Sequence, residues 1–242
     1  MIETLSRRLA AVREQIAVAA AAAGRQVDEI QLIAVSKTHP PEVVAAAVAA
    51  GVTDLGENRV QEAQQKIAAL HHLQPRPRWH LIGHLQRNKA KLAVSLFDLI
   101  HSVDSLRLAE ALDRHARELD RRMPILLQVN VSGEASKEGF WLPGGITNDA
   151  AYRELLPAIE AILALPALEV CGLMTIAPIV DHPDAARPYF AALRALRDDL
   201  ARRYPQASWR ELSMGMSDDL SAAIAEGATM VRIGRAIFGE RH

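Results

Sequence analysis

Apolar residues in this chain follow two rhythms in turn. Leu5, Leu9, Val12 and Ile16 recur at helical spacing, which predicts an N-terminal helix reaching about Ala23 and stopped by Gly24. From Ile30 onward, short apolar and β-branched runs alternate with amphipathic stretches. The runs are 30–35, 54–58, 78–83, 99–103, 124–131, 168–176, 209–214 and 230–234. Pro40-Pro41-Glu42 opens the first intervening helix and Gly51 closes it. Further helices are expected over 60–70, 88–96, 105–122, 150–165, 185–204 and 218–226; only the last run lacks a clear helix behind it.

Strand–helix alternation forces parallel pairing through crossovers, and eight such units in about 250 residues is the arithmetic of a (β/α)8 TIM-type barrel, an α/β fold. A doubly wound open sheet would carry a Gly-x-Gly-x-x-Gly turn after the first strand, where Ser36-Lys37-Thr38-His39 stands instead. With no linker or composition break, the chain reads as a single domain over 1–242, with residues 1–24 a helix packed on the barrel. The one long irregular stretch, 132–149 with Pro143-Gly144-Gly145, is expected as a loop at the barrel mouth.

Composition narrows the function classes. At 50% hydrophobic and 24% charged residues the chain matches ordinary globular proteins, which excludes disorder and disulfide scaffolds. Its 28 basic and 29 acidic residues leave a net charge of -1 and no basic footprint for nucleic acid. Cys171 is the lone cysteine, suiting a reducing cytosol, and its apolar flanks predict a packed thiol. Arg7, Arg8, Arg13 and Glu14 interrupt the alanine-rich start, so no membrane span is expected. Glu3, Glu14 and the scarcity of serine argue against a mitochondrial presequence.

In a barrel the chemistry belongs at the C-terminal strand ends. Lys37 is the sharpest candidate there: an amine walled by apolar strand ends becomes nucleophilic toward carbonyls. The bland alternative is a lysine snorkelling to solvent. Ser213-Met214-Gly215-Met216-Ser217-Asp218 and Arg232-Ile233-Gly234-Arg235 follow the seventh and eighth strands, where this fold binds phosphate. Ordinary turn glycines with Ser217 or Asp218 as a helix cap would explain each segment alone. His80 and His84 could share a face, with Asp104 or Glu57 as carboxylate, but neither set has a familiar metal spacing, and no metal is expected. A reactive amine facing a phosphate cradle suits two chemistries: a Schiff-base aldolase acting on a sugar phosphate, or pyridoxal 5'-phosphate held on the lysine.

Longer motifs go further. Ala34-Val35-Ser36-Lys37-Thr38, Gly56-Glu57-Asn58-Arg59-Val60-Gln61-Glu62 and Trp79-His80-Leu81-Ile82-Gly83-His84-Leu85-Gln86-Arg87-Asn88-Lys89 resemble the YggS/PROSC family of pyridoxal phosphate homeostasis proteins. Gln128-Val129-Asn130-Val131, Gly172-Leu173-Met174-Thr175-Ile176, Leu212-Ser213-Met214-Gly215-Met216-Ser217-Asp218-Asp219 and 231–239 agree with it in order. The stretch 140–148 is longer than the family pattern, and Arg235 stands where a threonine is common.

The resemblance implies a barrel similar to the N-terminal domain of alanine racemase, with Lys37 as the Schiff-base lysine. It implies that Ser213 and the amides of Gly234 and Arg235 hold the phosphate, and that Asn58 and His80 line the ring pocket. Arg232 would meet the pyridine nitrogen; the alternative for it is a structural pair with a carboxylate such as Glu211. Lys137 is a second lysine at the mouth, in a family-like segment.

Two functions of different class follow from the resemblance: an amino-acid racemase-type enzyme, or a carrier that buffers or delivers pyridoxal phosphate with little turnover. An alanine-racemase-like enzyme needs a second, β domain and a tyrosine base; only four residues follow Phe238, and Tyr152, Tyr189 and Tyr204 fall in predicted helices outside the mouth. The carrier is therefore expected, cytoplasmic and monomeric, with apoenzymes that require pyridoxal phosphate as its further partners.

Overall fold

The computed structural model describes residues 2–239; Met1 and 240–242, the ends of the expected domain, lie outside the described residues. Nine strands form one sheet: β1 (Gln31–Val35), β2 (Asp54–Glu57), β3 (Arg78–Leu81), β4 (Leu99–Val103), β5 (Met123–Asn130), β6 (Phe140–Trp141), β7 (Leu168–Met174), β8 (Glu211–Ser213) and β9 (Met230–Ile233). Their order is β4-β3-β2-β1-β9-β8-β7-β5-β6, and a further β4–β5 pairing closes eight of them into a parallel barrel. This is the (β/α)8 fold that the alternation predicts.

The surrounding helices are α1 (Ile2–Ala22), α2 (Pro41–Ala49), α3 (Val60–Ala69), α4 (Ala90–Leu96), α5 (Leu106–Glu118), α6 (Asp149–Leu163), α7 (Arg187–Arg203), α8 (Leu220–Ala225) and α9 (Arg235–Phe238). Helix α1 buries Leu5, Leu9, Val12 and Ile16, the stripe read from its spacing, against α8, α9 and α2. No described helix is long and apolar enough to cross a membrane.

Several differences from the expected elements are local. Helix α5 ends at Glu118 because Asp120 adopts a left-handed φ of 47° and Arg121 N–H turns back to the Ala116 carbonyl. Strand β8 shortens to Glu211–Ser213 because Trp209 turns out of line with a φ of 43°. The last strand does have a helix behind it, the single turn of α9. The 132–149 loop is tied down: β6 pairs with Val129 and Asn130, and Asn130 donates its side-chain amide to the carbonyls of Glu134 and Lys137.

The core has two parts. A large cluster fills the space between barrel and helices, while Ile33, Leu99, Leu126, Met174 and Met230 form a separate cluster on alternate strand positions, inside the barrel. Strands β7 and β8 come so close that a Cβ on Gly172 would lie 2.0 Å from the Glu211 carbonyl oxygen. Polar side chains share the interior with that cluster: Arg232 stands beside Ile33, His80 beside Leu99 and Ser213 beside Met174.

Candidate functional site

A cavity of about 480 Å³ opens at the C-terminal ends of the strands, within the range typical of small-molecule sites. Lys37, Asn58, Arg232, Gly234 and Arg235 line it, together with Ser217 and Asp218. Strand pairing explains the convergence: β1 lies between β2 and β9, so the loops carrying Lys37, Asn58 and Gly234 leave the sheet side by side. Gly83 lets Asn58 come in, since a Cβ there would lie 2.5 Å from the Asn58 carbonyl oxygen. His80 and Ser213 are not among the lining residues; both are fully buried one layer below.

The Lys37 loop is held around Lys66, a residue that sequence reasoning did not single out. Lys66 on α3, almost fully buried, donates from its ammonium to the Ser36 carbonyl at 2.7 Å, to Glu57 at 2.8 Å and to Glu62 at 2.7 Å. Glu57 also accepts the Ser36 hydroxyl at 2.7 Å, and Glu62 accepts the Thr38 N–H at 2.5 Å. Lys37 is therefore gripped through both neighbours. Thr38 itself takes a φ of 68°, a left-handed conformation costly for a β-branched residue. Burial pushes the Glu57 carboxyl above its ordinary range, against the opposing hydrogen bonds from Lys66 and Ser36. A signal for this clamp was present: Lys66 continues the buried stripe of Val60 and Ala63 on α3.

Beneath the cavity a chain of polar side chains crosses the barrel. Arg232 donates to Ser213 Oγ at 2.7 Å and to the Thr175 carbonyl at 2.9 Å. Ser213 Oγ lies 2.8 Å from His101 Nδ1, His101 Nε2 lies 3.0 Å from His80 Nδ1, and His80 Nε2 lies 2.9 Å from Asp54 Oδ1. Burial, with the charge of Arg232 nearby, holds His101 well below the ordinary histidine range. Burial pushes Asp54 up, but hydrogen bonds from His80 and Thr53 outweigh it and leave the carboxyl low. Burial lowers Arg232 to about 10, opposed by the Asp219 carboxylate, so it stays a cation at neutral pH. The Glu211 alternative does not hold, because that carboxylate accepts from Thr229 Oγ1.

The rim completes the site. Arg235 donates to both carboxylate oxygens of Asp218 at 2.8 Å, an exposed pair on the cavity wall. Asp219 accepts the Met216 N–H at 2.6 Å, which folds the loop after β8 back toward the cavity. Lys137 pairs with Glu134 in the β5 loop and is absent from the lining. His80 and His84 do not share a site: His80 is inside the barrel, whereas His84 is exposed and 3.1 Å from Asp104. Among the described residues, His84, Asp104 and Glu138 have ligating atoms within 4.8 Å of one another, all outside the cavity lining. Cys171 is half-buried rather than packed away, and burial lifts its thiol to about 11, so it is inert.

The chain resembles known proteins over nearly its whole length. Residues 8–242 match the family model for the alanine racemase N-terminal domain. A pyridoxal phosphate homeostasis protein of Aquifex aeolicus is 43% identical over 234 residues, covering 97% of each chain. Solved structures of PipY from Synechococcus elongatus superpose with TM-scores of 0.83 without pyridoxal phosphate and 0.81 with it bound. They are 43% and 42% identical, and each match covers 97% of this chain and 100% of the other. An alanine racemase of Clostridium difficile shares the fold at 14% identity and a TM-score of 0.71, covering 97% of this chain and 55% of that one.

Proposed function

From the premise that this chain belongs to the pyridoxal phosphate homeostasis protein family, built on the alanine racemase N-terminal domain, we propose that it binds pyridoxal 5'-phosphate on Lys37 and buffers or delivers it. The observation that carries this is the convergence of Lys37, Asn58, Arg232, Gly234 and Arg235 on one cavity. The donor set fits the cofactor: an amine for its aldehyde, a guanidinium for its ring nitrogen, and backbone amides for its phosphate. At Gly234 a Cβ would lie 3.3 Å from the Val35 carbonyl oxygen, so the phosphate loop packs tightly on the end of β1.

Bound pyridoxal phosphate supplies an electrophilic aldehyde and an aromatic ring that can store charge. Lys37 holds the aldehyde as a Schiff base and Asn58 lines the ring. The amides of Gly234 and Arg235, with Ser217, hold the phosphate. Ser213 and His80, expected to touch the cofactor, act in this proposal from below, through Arg232. Arginine only donates and so favours an unprotonated ring nitrogen, which keeps the cofactor quiet. No tyrosine lines the cavity to serve as a second base: Tyr152 donates to Asp199 and Tyr204 to Glu160, both on outer helices. The reading places the protein in the cytoplasm as a monomer, with apoenzymes as recipients.

Borohydride reduction of the loaded protein, followed by peptide mapping, tests the assignment. The adduct should sit on Lys37 and disappear in Lys37→Ala. An adduct confined to Lys137 would overturn the lysine assignment, and racemisation at about 1 per second or faster would overturn the carrier.

A further inference from the structure

Arg232 is 5% exposed, yet its guanidinium donates to two uncharged acceptors, Ser213 Oγ and the Thr175 carbonyl. A buried cation needs compensation; the Asp219 carboxylate offsets its burial through space, while the hydrogen-bonded path from Ser213 leads elsewhere. Following the contacts from Ser213 through His101 and His80 leads to Asp54, a carboxylate near the opposite, N-terminal end of β2. Gln31 and Thr53 also donate to Asp54, and the Arg78 guanidinium lies 3.8 Å away.

The direction of this chain follows from its two ends. A guanidinium has only donors, so Ser213 Oγ accepts from Arg232. An ionised carboxylate has only acceptors, so His80 Nε2 carries a proton and donates it to Asp54. If His80 also carried a proton on Nδ1, His101 would have to accept it at Nε2 and donate from Nδ1 to Ser213. Ser213 Oγ would then accept twice, and its own buried proton would have no acceptor in the chain. The opposite order leaves nothing unmatched: Arg232 to Ser213, Ser213 to His101 Nδ1, His101 Nε2–H to His80 Nδ1, and His80 Nε2–H to Asp54.

We infer that Ser213, His101, His80 and Asp54 form a one-directional hydrogen-bonded relay through the barrel core that positions Arg232 as a donor to the ligand of the mouth cavity. The four are positioning residues, because they act through Arg232. A carboxylate placed directly on Arg232 would compete with the ligand for its donors. The relay adds the Asp54 carboxylate at its far end to the nearby charge of Asp219 and leaves the cavity side of the guanidinium available. The ligand part of this inference rests on the reading of the cavity as a pyridoxal phosphate site; the proton order and the fixing of Arg232 do not.

The test begins with the ligand-free protein, labelled with nitrogen-15. Long-range proton–nitrogen correlation at neutral pH should show His80 and His101 both neutral and both protonated on Nε2. The terminal guanidinium protons of Arg232 should be resolved and slow to exchange. A proton on His101 Nδ1, or a doubly protonated His80, would overturn the relay whether or not any cofactor binds. Ser213→Ala removes one hydroxyl and Asp54→Asn removes the distant charge; both should broaden the Arg232 signals, and Ser213→Ala should also abolish the single tautomer of His101. In protein loaded with pyridoxal phosphate, both variants should move the absorbance maximum of the bound cofactor, and Ser213→Ala should weaken its binding about tenfold or more. A purely structural role would lower the melting temperature and leave the guanidinium signals and the absorbance maximum where they were, which would overturn the proposal. Failure of the unaltered protein to take up pyridoxal phosphate would instead defeat the function proposed above, with the imidazole and guanidinium signals still deciding the relay.

Discussion

Two buried polar constellations flank the cavity, and they handle buried charge in opposite ways. In the clamp around Lys66, cation and carboxylates touch: one ammonium meets Glu57, Glu62 and the Ser36 carbonyl at 2.7–2.8 Å. In the relay beneath Arg232, cation and carboxylate are separated by a hydroxyl and two imidazoles. The difference matches what each must hold. The clamp fixes backbone, the carbonyl before Lys37 and the N–H after it, which need partners at set positions. The relay fixes a side chain that must keep donors free toward the cavity. Direct pairing gives rigidity; distant pairing preserves charge at the working face.

The largest expected effect breaks the clamp. Lys66→Met strands the Ser36 carbonyl and the Glu57 carboxylate without their cation, in a site where Lys66 is 4% and Glu57 0% exposed. Removing one partner of such a buried pair costs about 3–5 kcal/mol, readable by urea denaturation. Ser213→Ala in the relay should cost less, about 1–3 kcal/mol, because the Arg232 cation keeps the Thr175 carbonyl as acceptor and the Asp219 charge nearby. Equal losses from the two substitutions would erase the distinction between direct and relayed compensation.

Acid titration sharpens the same contrast, because the two carboxylates are shifted in opposite directions. Asp54 sits below its ordinary value of 3.8 in the fold, so it adds stability above that value and loses it as pH falls through its folded value. Glu57 sits above its ordinary 4.5, so its ionised form lowers stability, and acidification through its folded value towards 4.5 relieves that cost. Asp54→Asn should therefore flatten the loss of stability on the acid side of pH 3.8. Glu57→Gln should remove a compensating gain that sets in above pH 4.5. Slopes that change in the same sense in both variants would show that the two sites are not opposed.

The two constellations also differ in how far they could be read from the sequence. The barrel was legible because eight apolar runs alternate with helical stripes, and Lys37, Asn58 and Gly234 were legible because each directly follows a strand. The clamp left a readable sign, a lysine on the buried stripe of α3. The relay left none. Asp54, His80, His101 and Ser213 come from four strands, and which of them meet depends on register: Asp54 stands beside Arg78 and Gly56 beside His80, with His80 next to Leu99. A sequence places His80 and Ser213 towards the C-terminal ends of their strands but does not show their depth, so both were expected at the mouth and lie beneath it. Short elements such as β6 and α9 span too few residues for periodicity to reveal them.

A smaller effect probes the backbone that the clamp restrains. Thr38 holds a left-handed φ of 68° with its N–H on Glu62. Thr38→Gly keeps that N–H and removes the side-chain strain, a gain of about 1–2 kcal/mol. The extra freedom of glycine in the unfolded chain takes back about 0.5–1 kcal/mol. The variant should be slightly more stable in denaturant. A clear loss would mean that the threonine side chain packs in a way that outweighs its strain.

The smallest expected effect is at the exposed ion pair of the rim. Arg235 pairs with Asp218 through side chains that are 55% and 83% exposed, and such pairs contribute about 0–1 kcal/mol. Arg235→Ala should therefore leave stability nearly unchanged. Its meaning lies in ligand affinity, because the proposed phosphate contact of Arg235 is its backbone amide at the start of α9, which alanine retains. Calorimetric titration with pyridoxal phosphate should show a change of less than about threefold, the scale of a screened surface charge. A loss of about tenfold or more would place the guanidinium itself on the phosphate, as a charge-assisted hydrogen bond of that size requires. In that case Asp218 would be a competitor for the guanidinium rather than a partner. Asp218→Asn would then tighten binding, an outcome that a purely backbone cradle does not allow.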